Sequence, residues 1–372
     1  MKIGLLHYSM PPVVGGVERV LAAHARLFRE DGHEVVLLCD GRQKDDGTYL
    51  AVPGFTNTGD YTENRDAFVH FILQLKLDVV MVHNVLTMPF CPVATDACHV
   101  LAGTDLKVIS WVHDLAATNP YYLVPADDLI RKYPAGARVV AISEERADSY
   151  RKVTDYANVT VVPNGVDALG ELGGEFVEQR PELRMRLRGA FPILFHPTRI
   201  LRRKNIGLGI QVTEELKKIG LHPRLLISGA PEPFSGDQAS YRQKLDNQIS
   251  QLGLTSEVLF LGDDSPLDGS DIDQLYHLAN ALFFPSEEEG FGLPILEAGL
   301  RRVPIFCSET QPLSALARRY GSVFSLNSSP IQIAAQMARF LAIDAGSQVR
   351  MTVQRDFDWQ GIYEKHILPL LS

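Results

Sequence analysis

Two glutamates with seven residues between them stand in the segment richest in chemistry, Pro285-Ser286-Glu287-Glu288-Glu289-Gly290-Phe291-Gly292-Leu293-Pro294-Ile295-Leu296-Glu297-Ala298. The glycines around Phe291 let the backbone come close to a ligand. Pro294 stands where the first turn of a helix is expected to begin. A helix N-terminus there aims unpaired N–H groups at an anion such as a diphosphate. Glu289 is then expected in the loop before the helix and Glu297 in its first turn, reaching two parts of one long ligand. Taken alone, the pair also reads as a solvated acidic loop followed by a glutamate favoured by the helix dipole.

A basic run precedes this segment: His196-Pro197-Thr198-Arg199-Ile200-Leu201-Arg202-Arg203-Lys204-Asn205. Arg199 is expected just past a strand end and Lys204 just before a helix. Together they suit a diphosphate, the guanidinium as a two-pronged fork and the ammonium as a mobile point charge. A diphosphate that leaves in a reaction needs its developing charge neutralised. The plain alternative is a solvated basic run, since Arg180, Arg184, Arg186 and Arg188 lie nearby, and Arg202 and Arg203 read that way. Near the N-terminus, Pro11-Pro12-Val13-Val14-Gly15-Gly16-Val17-Glu18 lacks the spacing of a dinucleotide fingerprint. Its Gly15-Gly16 pair also fits an ordinary strand-to-helix turn. Trp111-Val112-His113-Asp114 ends a strand, from which His113 is expected to protrude. His83-Asn84 ends another, and both an acceptor-lining and a structural reading stand there.

The elements that must position these residues repeat one grammar twice. Apolar runs at Ile3–Tyr8, Val35–Cys39, Val79–His83, Val108–Val112, Val139–Ile142 and Val159–Val162 alternate with helical stretches at Val17–Glu30, Asn64–Leu75 and, after a Ser143 cap, Glu144–Lys152. Near-continuous apolar runs suit parallel strands covered on both faces. The alternation implies an α/β fold with a doubly wound sheet. After the turn cluster at Pro163-Asn164-Gly165 it restarts at Ile193–His196. The expected division is a first domain over 1–165, a linker over 166–188, a second domain over 189–355, and a C-terminal helix over 356–372. Ligands of such sheets bind outside the strand C-termini, so two facing Rossmann-like domains would share a cleft.

The Glu-x7-Glu segment resembles that of the family 4 retaining glycosyltransferases, which have the GT-B fold, and the resemblance extends over essentially the whole chain. It implies that Glu289 contacts the donor sugar hydroxyls and Glu297 the nucleotide ribose. It implies that backbone groups of Phe291, Gly292 and Leu293 hold sugar and phosphates, and that Arg199 and Lys204 clamp the diphosphate. Gly15 and Gly16 would lie under the donor phosphates beside the acceptor, and His113 near the reacting carbon. Nucleobase contacts are expected at Ser228-Gly229 and Gly262-Asp263. Thr198 and Asn205 stand where the family usually has glycines, and the stretch 263–273 is longer than its usual connection. The C-terminal helix would cross back to the first domain. The implied reaction moves a hexosyl group from a nucleotide-diphosphate sugar to a hydroxyl acceptor with retention. The leaving phosphate would help deprotonate the acceptor through an oxocarbenium-like transition state. No acidic pair is arranged as a metal clamp, so neither metal nor cofactor is expected.

Composition narrows the classes. A formal net charge of -9 disfavours a nucleic-acid partner held by phosphate neutralisation. It also disfavours strong electrostatic binding to anionic lipid, while a local basic patch leaves room for weak peripheral membrane contact. The longest uncharged stretch, Val79 to Thr95, contains His83, Asn84, Pro89 and Pro92 and reads as no membrane span. Met1 to His7 is too short for a signal-peptide core. Cys39, Cys91, Cys98 and Cys307 form no CxxC pair and read as buried thiols of a reducing, cytoplasmic compartment. The rivals are a phosphorylase, a sugar-nucleotide epimerase and a non-catalytic nucleotide-sugar binding module. A nicotinamide dehydrogenase stands further off.

Overall fold

The structure, a computed structural model, describes residues 1–372 except 43–46, 123, 125–127, 230–237, 264 and 319–320. The chain forms two compact units, one of Met1–Gly165 with Phe357–Ser372 and the other of Val166–Asp356.

The first unit carries a seven-stranded parallel sheet: β1 (Lys2–Leu6), β2 (Glu34–Cys39), β3 (Leu50–Ala51), β4 (Val79–His83), β5 (Lys107–Val112), β6 (Arg138–Ala141) and β7 (Val159–Val161). Their order is β3-β2-β1-β4-β5-β6-β7. Side chains alternate between faces with period two, and the core divides accordingly. Ile3, Leu5, Val79, Met81, Ile109 and Trp111 pack on one face with the helix Gly16–Glu30 and the C-terminal residues Trp359, Ile362, Tyr363 and Ile367. Leu6, Val80, Val82 and Val108 pack on the other, with the helices Tyr61–Gln74 and Pro92–Ala102. The C-terminal segment is therefore a built part of the first unit. Lys107 Nζ donates to the carbonyls of Leu371 and Ser372 at 3.0 and 2.7 Å, Arg138 to that of Leu370 at 3.0 Å, and the Tyr363 hydroxyl to Asp31 at 2.7 Å.

The second unit carries a six-stranded parallel sheet: β8 (Ile193–His196), β9 (Arg224–Ile227), β10 (Val258–Phe260), β11 (Ala281–Phe284), β12 (Ile305–Ser308) and β13 (Ser322–Phe324), in the order β10-β9-β8-β11-β12-β13. Strands β8 and β11 are buried throughout, as their unbroken apolar sequences demand. Residues 166–188, expected as a linker, instead fold into the helices Ala168–Glu178 and Pro181–Leu187 of this unit. Leu169, Phe176, Val177, Leu183 and Leu187 are buried in its core. The glycines and glutamates of the segment lie between these apolar positions and mask their helical spacing.

Each sheet reverses its winding once, between β1 and β4 in the first and between β8 and β11 in the second. Loops leave such a point in opposite directions and open a crevice beyond the strand C-termini. The chemically promising residues follow these strands.

Candidate active site

In the second unit the basic run leaves β8 and the acidic segment leaves β11. Lys204 closes a short 3-10 turn, Arg202–Lys204, and Glu289 lies in the loop before the helix Leu293–Leu300. The Lys204 ammonium forms an ion pair with Glu289, and the two side chains are 12% and 10% exposed. The loops are also tied through backbone, because Glu287 N–H donates to the Arg203 carbonyl at 2.8 Å. Arg203 donates to the Glu288 carbonyl at 3.0 Å and lies 3.9 Å from the Glu289 carboxylate. Arg203 thus braces the acidic loop rather than being merely solvated. Arg199 is exposed, three residues beyond β8. The His196 imidazole at the end of β8 is wholly buried, and burial, aided by the Lys204 charge, pushes it down to about 3. It is neutral under Lys204 and adds no competing cation.

Local backbone demands explain the residue types here. Asn205, where the family usually has glycine, is the N-cap of the helix Ile206–Lys218 with φ 53°. Asparagine is among the few side chains that adopt this left-handed conformation readily. Gly292 caps the helix Leu293–Leu300 with φ 98°, and a Cβ there would meet Leu313 at 2.6 Å. Gly229 follows β9, and its Cβ would fall 2.0 Å from the Thr198 carbonyl oxygen. Thr198 is held there by its N–H donating to Ser228 Oγ at 3.0 Å. The loops after β8 and β9 therefore touch, and glycine is required at 229 because the Thr198–Arg199 backbone passes against it. Gly262 is buried beyond β10. Next to it, Arg242 grips Asp263 through two bonds of 2.7 Å. Residue 264, within the longer 263–273 stretch, lies outside the described residues.

The helix begins at Leu293, one residue before the expected Pro294, so Glu297 stands in its second turn rather than its first. Its carboxylate accepts a hydrogen bond from the Tyr276 hydroxyl at 2.7 Å. Burial, and then this bond, hold the Tyr276 phenol above its ordinary range. Phe291 and Leu293 are exposed, leaving the approach to the helix N-terminus apolar and open. Glu289 and Glu297 therefore have separate partners, an ammonium and a phenol. Neither Lys204 nor Tyr276 could be paired with its glutamate from the sequence alone, since each lies far from it along the chain.

In the first unit the loop after β1 leads to Gly15, the extended N-cap of the helix Gly16–Glu30. The Glu18 carboxylate folds back over Gly15 and accepts from the Ser9 hydroxyl at 2.5 Å. Gly16 is exposed with open space around it. His113 follows β5 but does not protrude, being 5% exposed. Its Nε2 is 2.9 Å from Nδ1 of His83, and the rings stack at 5.2 Å. Asn84, at φ 62°, accepts from the N–H groups of His113 and Asp114 at 2.9 Å each. That pair of bonds turns the backbone and draws the ring inward. His7 joins from β1, its Nδ1 2.8 Å from the His83 carbonyl oxygen, and His24 packs 4.8 Å from Trp111. Burial pushes His24 and His113 down to about 3, His83 well below its ordinary value, and His7 down as well. All four are neutral near pH 7. Among the described residues, neither nitrogen of His24 has a hydrogen-bond partner, nor does Nε2 of His83.

Beside this cluster, at the switch point of the first sheet, lies a cavity of about 380 Å³. Glu18, Asn84 and Asp114 line it. The sequence marked each as part of a motif but gave no sign that they share a wall. Among the described residues, no group of three or more His, Cys, Asp or Glu side chains is placed to hold a metal ion, and no helix is long and apolar enough to cross a membrane.

The first unit matches the model of Glycosyltransferase Family 4 over residues 14–168, and the second that of Glycosyl transferases group 1 over residues 180–353. The chain belongs to the group 1, family 4 glycosyltransferases. It is accordingly a transferase of the GT-B class with two Rossmann-like sheets. Among its relatives, mannosylglucosylglycerate synthase of Petrotoga mobilis is 23% identical over 83% of this chain and 82% of its own. GDP-mannose:cellobiosyl-diphosphopolyprenol alpha-mannosyltransferase of Xanthomonas campestris is 26% identical over 63% of this chain and 58% of its own. D-inositol 3-phosphate glycosyltransferase of Actinosynnema mirum is 32% identical over 49% of this chain and 43% of its own.

Proposed function

We propose that this glycosyltransferase moves a hexosyl group from a nucleotide-diphosphate sugar to a hydroxyl acceptor with retention of anomeric configuration, in the cytoplasm, without metal or cofactor. The observation that carries the reading is the Lys204–Glu289 pair, with Arg199 beyond it, at the switch point of the second sheet. The name of the Xanthomonas campestris relative, with GDP-mannose as its donor, accords with it. Four buried free thiols suit a reducing compartment.

In this reading Arg199, Lys204 and the N–H groups at the start of the helix Leu293–Leu300 neutralise the diphosphate as it leaves. Glu289 is released from Lys204 when the diphosphate takes the ammonium, and it then accepts from the sugar hydroxyls. Glu297 accepts from the ribose with its geometry fixed by Tyr276. Backbone groups of Phe291, Gly292 and Leu293 hold the sugar and phosphates, Gly229 and Gly262 border the base, and Gly15 and Gly16 approach the donor from the first domain. His113 presents a neutral ring that His83 orients. The departing phosphate accepts the acceptor's proton on the face it leaves.

A melting screen against UDP-, GDP- and ADP-sugars selects the donor, and NMR of the product reads the anomeric coupling. Retention is expected. An inverted product would overturn the stereochemistry, and conversion of the donor with no acceptor present would point to an epimerase instead.

A further inference from the structure

Two side chains of the helix Gly269–Leu278 reach across to the helix that carries Glu297. Asp273 and Tyr276 stand three residues apart and so share one face of it. The Tyr276 ring is 1% exposed and packs edge to face on Phe195 of β8 at 5.0 Å, so the core fixes where its hydroxyl points. That hydroxyl donates to Oε2 of Glu297 at 2.7 Å, whereas the Pro294 carbonyl lies at 3.5 Å, the outer limit of a hydrogen bond. Asp273 holds the Arg301 guanidinium, whose Nε donates to it at 2.7 Å. Arg301 in turn lies 5.3 Å from the centre of the Tyr276 ring and donates to the backbone carbonyl of Glu297 at 3.0 Å. The backbone and the side chain of Glu297 are thus both set from the same neighbouring helix.

Satisfying a buried phenol does not by itself account for this arrangement. Phenylalanine would fill the same place in the core with no polar atom to satisfy, and losing both partners of a hydrogen bond costs little. The hydroxyl matters for what it does to its acceptor. Glu297 is half-buried, and a glutamate side chain is otherwise among the freest to rotate. With Oε2 engaged, the carboxylate keeps one plane, and Oε1 offers its lone pairs in a fixed direction. Asp273 meanwhile occupies the Arg301 guanidinium, which touches the Glu297 backbone and leaves the carboxylate to a ligand. An acceptor fixed in this way suits two hydroxyls on adjacent carbons of a small ring, which is the edge of a ribose. A 2′-deoxyribose removes one of them, and a site built to accept a hydroxyl rejects the analogue that lacks it.

Resting on the reading of Glu297 as the ribose contact, we propose that Tyr276 is a positioning residue through which this site selects ribonucleotide donors, and that sugars carried on a deoxyribonucleotide, such as thymidine diphosphate, are rejected. Tyr276 touches no ligand itself and acts through the orientation of the Glu297 carboxylate.

The test is calorimetry of the full chain with matched probes, UDP against 2′-deoxy-UDP, GDP against 2′-deoxy-GDP and ADP against 2′-deoxy-ADP. The pair that contains the preferred base should show the ribose member binding roughly 10- to 100-fold more tightly, the scale of one hydrogen bond to a charged group. Tyr276→Phe should cut that ratio to a few-fold by weakening the ribose member alone, with melting as the check that the fold is intact. In a Glu297→Gln background the same substitution should change the ratio no further, because two residues that act as one unit are not additive. If Tyr276→Phe weakens both members equally, or leaves the ratio as it was, the tyrosine only packs and the inference falls. If the substitution acts as strongly in the Glu297→Gln background, it does not act through the glutamate, and the inference falls likewise. If both members bind equally well to the unaltered protein, the ribose is not read here while the transferase reading stands. If no nucleoside diphosphate binds at all, the proposed function fails and this inference with it.

Discussion

At the switch point of the first sheet the strands lead to neutral histidines and two carboxylates, Glu18 in the first turn of the helix after β1 and Asp114 just past β5. At the switch point of the second they end in Arg199 and Lys204, with Glu289 clasped between the loops. The sheets share their winding, so the winding fixes only where a ligand can sit. The charge of that place is written in the few residues after each strand. His113 and His196 illustrate this. Both end a central strand, both are buried and pushed down to about 3, yet one is packed against histidine rings and the other lies beneath an ammonium. The chain thereby separates a half whose loops present cations from a half whose cavity, among the described residues, is lined by carboxylates.

Removing the cations should break the contrast most severely. Arg199→Ala and Lys204→Ala are each expected to lower kcat by roughly 100- to 1000-fold, the scale for losing one charge-stabilising donor. Near-normal turnover in both, with circular dichroism unchanged, would dissolve the phosphate clamp. The glutamates come next. Glu297→Gln should weaken nucleoside-diphosphate binding by roughly 1–3 kcal/mol, because the ribose it is proposed to contact is the same in ground and transition states. Glu289→Gln should instead lower kcat and leave that affinity intact, since the sugar contact proposed for it would strengthen as charge develops. Calorimetric titration of the bare nucleotide separates the two, and the opposite assignment would reverse their roles.

The histidines give a pH test between the domains. A buried histidine near 3 binds fewer protons folded than unfolded throughout the interval from about 3 to the ordinary value near 6.5. Stability therefore rises with pH across that window, levels off above it, and falls on acidification. Each such residue costs about 1.4 kcal/mol at pH 5.5. The first domain has five lowered histidines, His7, His24, His83, His99 and His113, and the second has His196 among the described residues. Hydrogen exchange, corrected for intrinsic rates, should show β1, β4 and β5 losing protection before β8 and β11 between pH 7 and 5. The His24→Phe variant should flatten that slope, and equal losses in both sheets would show that the histidines do not set it. The smallest effect is expected at Asn205→Gly, a few tenths of a kcal/mol in melting experiments, because either residue suits a left-handed N-cap. A loss above about 1 kcal/mol there would mean that the asparagine side chain is needed in its own right.

Much of this organisation was legible where sequence pattern and local structure coincide. The limits of β8 and β11 follow from uninterrupted apolar runs, and Ser143 caps its helix as expected, accepting from Arg146 N–H at 3.1 Å. The helix Pro92–Ala102 was not apparent, because so much of its surface is buried that no polar face marks its period. β3 is two residues long with exposed side chains and offers no alternation to read. Residues 166–188 read as a linker because a turn cluster precedes them and glycine and glutamate crowd their first part, through Gly174. In the site, the motif residues were legible by type. The inward turn of His113 was not, because it depends on Asn84 and His83 from another strand. Nor was the shared cavity of Glu18 and Asp114, since only the fold brings the helix after β1 and the end of β5 together.

Because Phe357–Ser372 belongs to the first domain, that domain is discontinuous in the chain, while the second is continuous from Val166 to Asp356. A ribosome therefore completes the second domain before it has delivered Trp359, Ile362, Tyr363 and Ile367 to the first. At about 5–20 residues per second, the gap between release of Gly165 and arrival of Phe357 lasts on the order of 10 to 40 s. During that interval the sheet face bearing Ile3, Met81 and Trp111 lacks its final cover. Vectorial synthesis thus makes the half that was translated first the last to mature, and the nascent first domain the stage at which a chaperone has an apolar surface to hold.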